Sequence, residues 1–154
     1  MNARWRVVLS VVLGVGLLVT AQVMAQEPEV QFTEAENPWQ GEIEYTVGET
    51  VNPKVQIAGI RWFGLQVAPE RATLPSGTEV KAQVRMGFEN TTGRTASVMV
   101  VLIFEDEQGV GLDRVELKKV RVKAGQRKIA REKIRVQADV LRATARLYLF
   151  AEVR

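Results

Sequence analysis

The sequence predicts an all-β domain, an immunoglobulin/fibronectin-like sandwich of about seven strands, preceded by a signal peptide and an acidic leader. Three observations carry that expectation. Apolar and polar residues alternate with period two through most segments beyond residue 42. Turn residues punctuate those segments at short intervals, the spacing of a sandwich. Only "QADVLRA", residues 137–143, has a pattern that admits a helical turn.

The N-terminal segment has the build of a secretory signal. Arg4 and Arg6 form a basic start, and residues 7–19 are apolar apart from Ser10, Gly14 and Gly16. Val23-Met24-Ala25 places small side chains one and three residues before a cut between Ala25 and Gln26. The rival reading is an uncleaved anchor, which must stretch about 20 apolar residues across Thr20 and Gln22. No cysteine follows, so a lipoprotein anchor is excluded, and no later run is long and apolar enough to span a membrane. Residues 26–41 then read as an acidic leader, with two prolines and no clean periodicity. Trp39 is placed to dock that leader onto the sandwich.

Residues 42–154 form the expected domain. "EIEYTV" alternates Ile43, Tyr45 and Val47 against Glu42, Glu44 and Thr46. "KVQIAGIRWFGLQV" is strand-like, with bends or bulges expected at Gly59 and Gly64. "EVKAQVRMGF" sets Val80, Ala82, Val84, Met86 and Phe88 against Lys81, Gln83 and Arg85. Residues 98–104 are apolar on both faces, so the strand is covered twice, or its second face meets a partner or a packed loop. Strands over 112–122 and 129–136 follow, separated by "KAGQ", where Gly125 is free to take positive φ. "ATARLYLFAEV" closes the chain with Leu147, Leu149 and Ala151 on one side.

Composition removes whole classes of chemistry. The chain has no histidine and no cysteine. That excludes serine or cysteine nucleophiles activated by imidazole, and zinc sites of the usual ligands. Only Met86 and Met99 lie beyond the signal segment, too few thioethers for a copper carrier. An exported domain of this size without disulfides points to a bacterial periplasmic or secreted protein, stabilised by its core alone. No cofactor and no catalytic residues are expected.

Glu105-Asp106-Glu107, with Asp113 beyond, reads as the charged tip of a hairpin. A calcium loop needs oxygen ligands at alternating positions, whereas consecutive side chains on extended backbone diverge. The same divergence weakens a hydrolase built from carboxylates alone, which needs two of them across one cleft. Asn90-Thr91-Thr92 matches a glycosylation acceptor, but Asn and Gly93 also suit a turn, which is the preferred reading.

The stretch "VRMGFENTTGRTASVMVVLIFEDEQGVGL", followed by "VRVKAGQ", resembles small secreted sandwich domains of the FxLYD type and their bacterial immunoglobulin-like relatives. Asn90, Phe104, Asp106, Gly109 and Gly125 fill that family's turn and strand-end places across about residues 80–126. Glu105 stands where the family has a tyrosine. The resemblance implies a non-catalytic binding or accessory module.

Charge singles out a surface. Residues 26–50 hold seven glutamates and no Lys or Arg, whereas residues 51–154 hold 19 basic residues against 11 acidic ones. Within residues 114–146 there are twelve Lys or Arg and three acids. Lys119, Arg121 and Lys123 share one strand face, and Arg131, Lys133 and Arg135 share another. Opposed like charges destabilise a sheet, so solvent, the acidic leader or an anionic partner must balance them. Trp62, in Arg61-Trp62-Phe63, is the second candidate; of two adjacent rings one fills the core and the other lies outside or under the leader, unless both are packed. The expected function is therefore binding, as an adaptor for another envelope or secreted protein. An anionic envelope polymer or lipid surface on the basic face is the alternative, and a carboxylate-only glycan hydrolase the third reading. Nucleic acid is not expected, because no aromatics interleave the basic residues as stacking platforms.

Overall fold

A computed structural model describes residues 30–154. The expected signal peptide and its cleavage site at Ala25 and Gln26 lie outside the described residues. The strands are β1 (Thr33–Ala35), β2 (Trp39–Glu44), β3 (Thr50–Val51), β4 (Val55–Ile57), β5 (Ile60–Pro69), β6 (Glu79–Asn90), β7 (Ala96–Glu105), β8 (Gly111–Glu116), β9 (Val120–Val122), β10 (Arg127–Gln137) and β11 (Arg146–Val153). One short helix, α1 (Ala138–Ala143), forms where a helical turn was expected.

Two sheets enclose one core. The first runs β1-β4-β5-β6-β10, with β3 also on β5; the second runs β2-β11-β7-β8, with β9 also on β7. The period-two pattern explains the layering. Ala82, Val84, Met86 and Phe88 of β6 face Val98, Val100, Leu102 and Phe104 of β7 across the middle, and Leu147, Leu149 and Ala151 complete the layer.

The described residues form eleven strands where about seven were expected. Much of the excess is fragmentation. Ala58 (φ 46°) and Gly59 (φ 78°) make a tight hairpin turn between β4 and β5, so Gly59 ends a strand where a bend was expected. Gly64 is a bulge, as expected: the β5–β6 register shifts between Trp62 and Gly64. The segment 112–122 breaks into β8 and β9, both paired with β7.

The rest of the excess is the two-residue β3, on β5, and β1, which comes from the acidic segment. Its described part is built into both sheets, so a leader ending at residue 41 does not match the fold. β1 pairs in parallel with β4, and β2 pairs antiparallel with β11. Asn37 holds it in place, donating from Nδ2 to the Val153 carbonyl (2.7 Å) and accepting from the Val153 amide (2.9 Å). Trp39 sets its ring edge-on to Trp62, centroids 6.0 Å apart.

Asn90 is the most demanding polar residue of the core. Its Nδ2 donates to the carbonyls of Arg94 (2.7 Å) and Val122 (3.0 Å), and its Oδ1 accepts from the Thr92 amide and hydroxyl. A side-chain amide so engaged and only 1% exposed is a turn anchor, with no free nitrogen to glycosylate. Asn90→Ala should lower the unfolding free energy by about 2–3 kcal/mol, because it strands buried carbonyls. Urea titration checks this.

Candidate binding surfaces

The two basic triplets face opposite ways. Val120 and Val122 are buried, so Arg121, with Ser97 opposite, lies on the outer face of the second sheet. Ile134 and Val136 are buried, so Arg131, Lys133 and Arg135 lie on the outer face of the first. Lys119 and Lys123 flank β9 and are exposed. One continuous basic face over all six residues therefore does not exist. Each triplet belongs to a different surface, separated by the edge where Lys128 Nζ donates to the Arg121 carbonyl (2.8 Å).

On the outer face of the first sheet, register creates what residue counting cannot show. Arg131 lies directly opposite Arg85, and Arg135 directly opposite Lys81. Outer members of the group are neutralised: Lys133 pairs with Glu70 (2.8 Å) and Arg135 with Glu79 (3.3 Å). The hydrogen bond and charge of Lys133 hold the Glu70 carboxyl below its ordinary range. Among the described residues Arg85, Arg131 and Lys81 have no ion-pair partner. An unrelieved pair of arginines in register costs roughly 0.2–1 kcal/mol in a sheet.

Beside Arg85 lies a small apolar slot of about 150 Å³, lined by Phe63, Leu65, Met86, Gly87 and Ile129 among others. Gly87 permits it, since any Cβ there would collide with the Phe63 ring lying across β6. The Arg127 guanidinium caps that ring from 4.1 Å. Ile129 is 49% exposed on the far wall. Trp62 is not part of this surface. It is 1% exposed in the core, with Nε1 donating to the Gly64 carbonyl at the bulge (3.0 Å), and the aromatic on the outside is Phe63. Alternation along β6 puts Lys81 and Arg85 on its polar side but does not single them out, because their partners on β10 lie some fifty residues away.

The described part of the acidic segment does not cover this surface. β1 sits at the edge of the first sheet opposite to β10, with Glu34 accepting from Gln56 Nε2 (2.7 Å). Glu42 pairs with Arg146 on the second sheet (2.8 Å).

At one end of the sandwich an open cleft of about 700 Å³ is lined by Glu44, Glu107, Arg142 and Arg146 among others. A glycosidase acid sits in an apolar pocket; both of these glutamates are exposed. The nearby hairpin tip closes its own turn, with Asp106 Oδ1 accepting from the amides of Gln108 and Val110, both at 2.9 Å. Asp139 ties α1 to the 75–78 turn. The Gly77 amide, the Ser76 hydroxyl and the Arg142 guanidinium bind its carboxylate and hold it below the ordinary range. A carboxyl lowered in the folded state stabilises above its unfolded value, about pH 3.9, and that contribution is lost as pH falls through the folded value. Asp139→Asn should therefore melt earlier than wild type at neutral pH, with the gap closing in acid. Thermal melts across pH read this directly.

No family model matches the chain, and no curated protein matches it. Among solved structures it is similar to the crystal structure of an RGD-containing host-selective toxin, Pyrenophora tritici-repentis Ptr ToxA. The sequence identity is 14% and the TM-score 0.34, over 79% of this chain and 94% of that one. A likeness of that depth carries no inference about function.

Proposed function

We propose that this chain is an exported, non-catalytic binding domain, an adaptor for another envelope or secreted protein of a bacterium, freed by cleavage between Ala25 and Gln26. Pairing order supports an immunoglobulin-like reading of the sandwich. β5-β6-β10 and β7-β11 match that fold's A-B-E and C-F neighbours, and β2 takes the place beside β11 that the last strand occupies there. The turn anchored by Asn90 and the positive φ of Gly109 and Gly125 support kinship with FxLYD-type domains.

One observation carries the functional reading: Arg85 and Arg131 are opposed without a counter-ion beside the slot between Phe63 and Ile129. That surface suits a protein presenting carboxylates next to an apolar side chain, which fills the slot while the acids relieve the arginines. The test is capture from envelope extract on tagged protein, washed at low and high salt, beside the R85E/R131E variant. One protein retained through high salt, and lost from the variant, supports the adaptor. Release of everything at high salt, with polysaccharide or lipid in the low-salt eluate, moves the function to an anionic polymer or membrane surface.

A further inference from the structure

The outer face of the second sheet is apolar at its centre. Met99, Val101 and Ile103 of β7 point outward, beside Tyr148 and Phe150 of β11. Val101, between Phe150 and Glu116, is only 5% exposed although it lies outside the core cluster. Among the described residues no helix or further sheet packs on this face. The rim is charged and asymmetric: Glu42, which already pairs with Arg146 of its own chain, and Glu44 border it on β2, while Arg114 and Arg121 border it on β8 and β9, with Glu116 between them.

Register aligns these residues in rows across the sheet. One row reads Glu44, Arg146, Glu105; the next Glu42, Tyr148, Ile103, Arg114; the next Gln40, Phe150, Val101, Glu116. A half-turn about an axis parallel to the strands, midway between β11 and β7, exchanges β11 with β7 and β2 with β8. These three rows then meet themselves reversed, and in the next row Glu152, paired with Arg154, falls over the edge of Met99. Tyr148 covers Ile103, Phe150 covers Val101, Glu42 meets Arg114 and Arg146 meets Glu105, each contact occurring twice. The usual angle of about 30° between packed sheets displaces the rim pairs by about one residue, within reach of arginine and glutamate side chains. A half-turn about the perpendicular in-plane axis instead places Glu42 against Glu42.

We propose that this face is a two-fold interface between two copies of the chain, with Glu42–Arg114 pairs at both ends of an apolar centre. It lies on the sheet opposite the arginine surface, so a dimer leaves both adaptor surfaces open. An interface of one four-stranded face is at the small end for stable association, and micromolar affinity is expected.

Sedimentation of the protein over a range of micromolar concentrations tests it. Wild type should pass from monomer to dimer. E42K and R114E should each dimerise at least about tenfold more weakly, since each homodimer then holds two like-charge contacts. An equimolar mixture of the two variants should recover dimer, because the lysine introduced in one copy meets the glutamate introduced in the other while the second contact stays native. Recovery also shows that both variants are folded. R85E/R131E should dimerise like wild type, which separates failure of this interface from failure of the adaptor reading. A wild type that stays monomeric throughout, variants that match it, or a mixture without recovery would each overturn the interface.

Discussion

Trp62→Ala should lower the unfolding free energy by about 3–5 kcal/mol, enough to unfold much of a marginally stable domain. The size follows from what the indole holds together. It is 1% exposed, packs on Phe88 at 5.6 Å within its own sheet, and receives the edge of Trp39 from the other sheet. Its Nε1 also satisfies the Gly64 carbonyl at the bulge, which an alanine leaves without that donor. The loss is therefore a cavity, an aromatic contact between sheets and a hydrogen bond together. Trp62→Phe keeps a ring but not the donor, and should cost less than half as much. Urea titration gives both values. Hydrogen exchange adds a spatial readout: in Trp62→Ala the amides of β2 should lose protection first, because Trp39 has lost its seat. Equal loss of protection everywhere would show that β2 is not held through this contact.

Period-two alternation made β6 and β11 legible, because one face of each is core and a single strand carries that information. The acidic segment was not legible as structure. It has no periodicity, and its docking depends on Asn37 meeting Val153 and Trp39 meeting Trp62, contacts across 116 residues for the first. The aromatic pair shows the same limit at closer range. Alternation requires that one of Trp62 and Phe63 face inward, but the choice is made by β4, β6 and the bulge at Gly64. The two basic triplets were visible as composition. Their division between two outer faces follows from β9 and β10 belonging to different sheets, which no local pattern states. The outward run of β7 is the converse case. Its second apolar face was readable, and the register that places Tyr148 and Phe150 beside it was not.

Arg131→Glu should raise stability while weakening partner binding by about a hundredfold, and the opposite signs are what make the substitution informative. Arg131 faces Arg85 with no counter-ion among the described residues, so reversal replaces repulsion with a cross-strand pair. The gain should be of the order of 1 kcal/mol in dilute buffer and fade as salt screens the pair. Binding moves the other way because the partner's carboxylate now meets a carboxylate, and losing one side of a close charge pair costs about 2–5 kcal/mol or more. Lys133→Glu is the control. Lys133 already pairs with Glu70 at 2.8 Å, so its reversal sets two carboxylates together and should not stabilise. Stability from urea titration and retention of the captured partner are read on the same preparations. A stability gain with unchanged retention would make the arginines a solvated face and end the adaptor reading of this sheet. A stability loss in Arg131→Glu would mean that Arg85 and Arg131 do not strain each other, which removes the physical reason for expecting an anionic partner there.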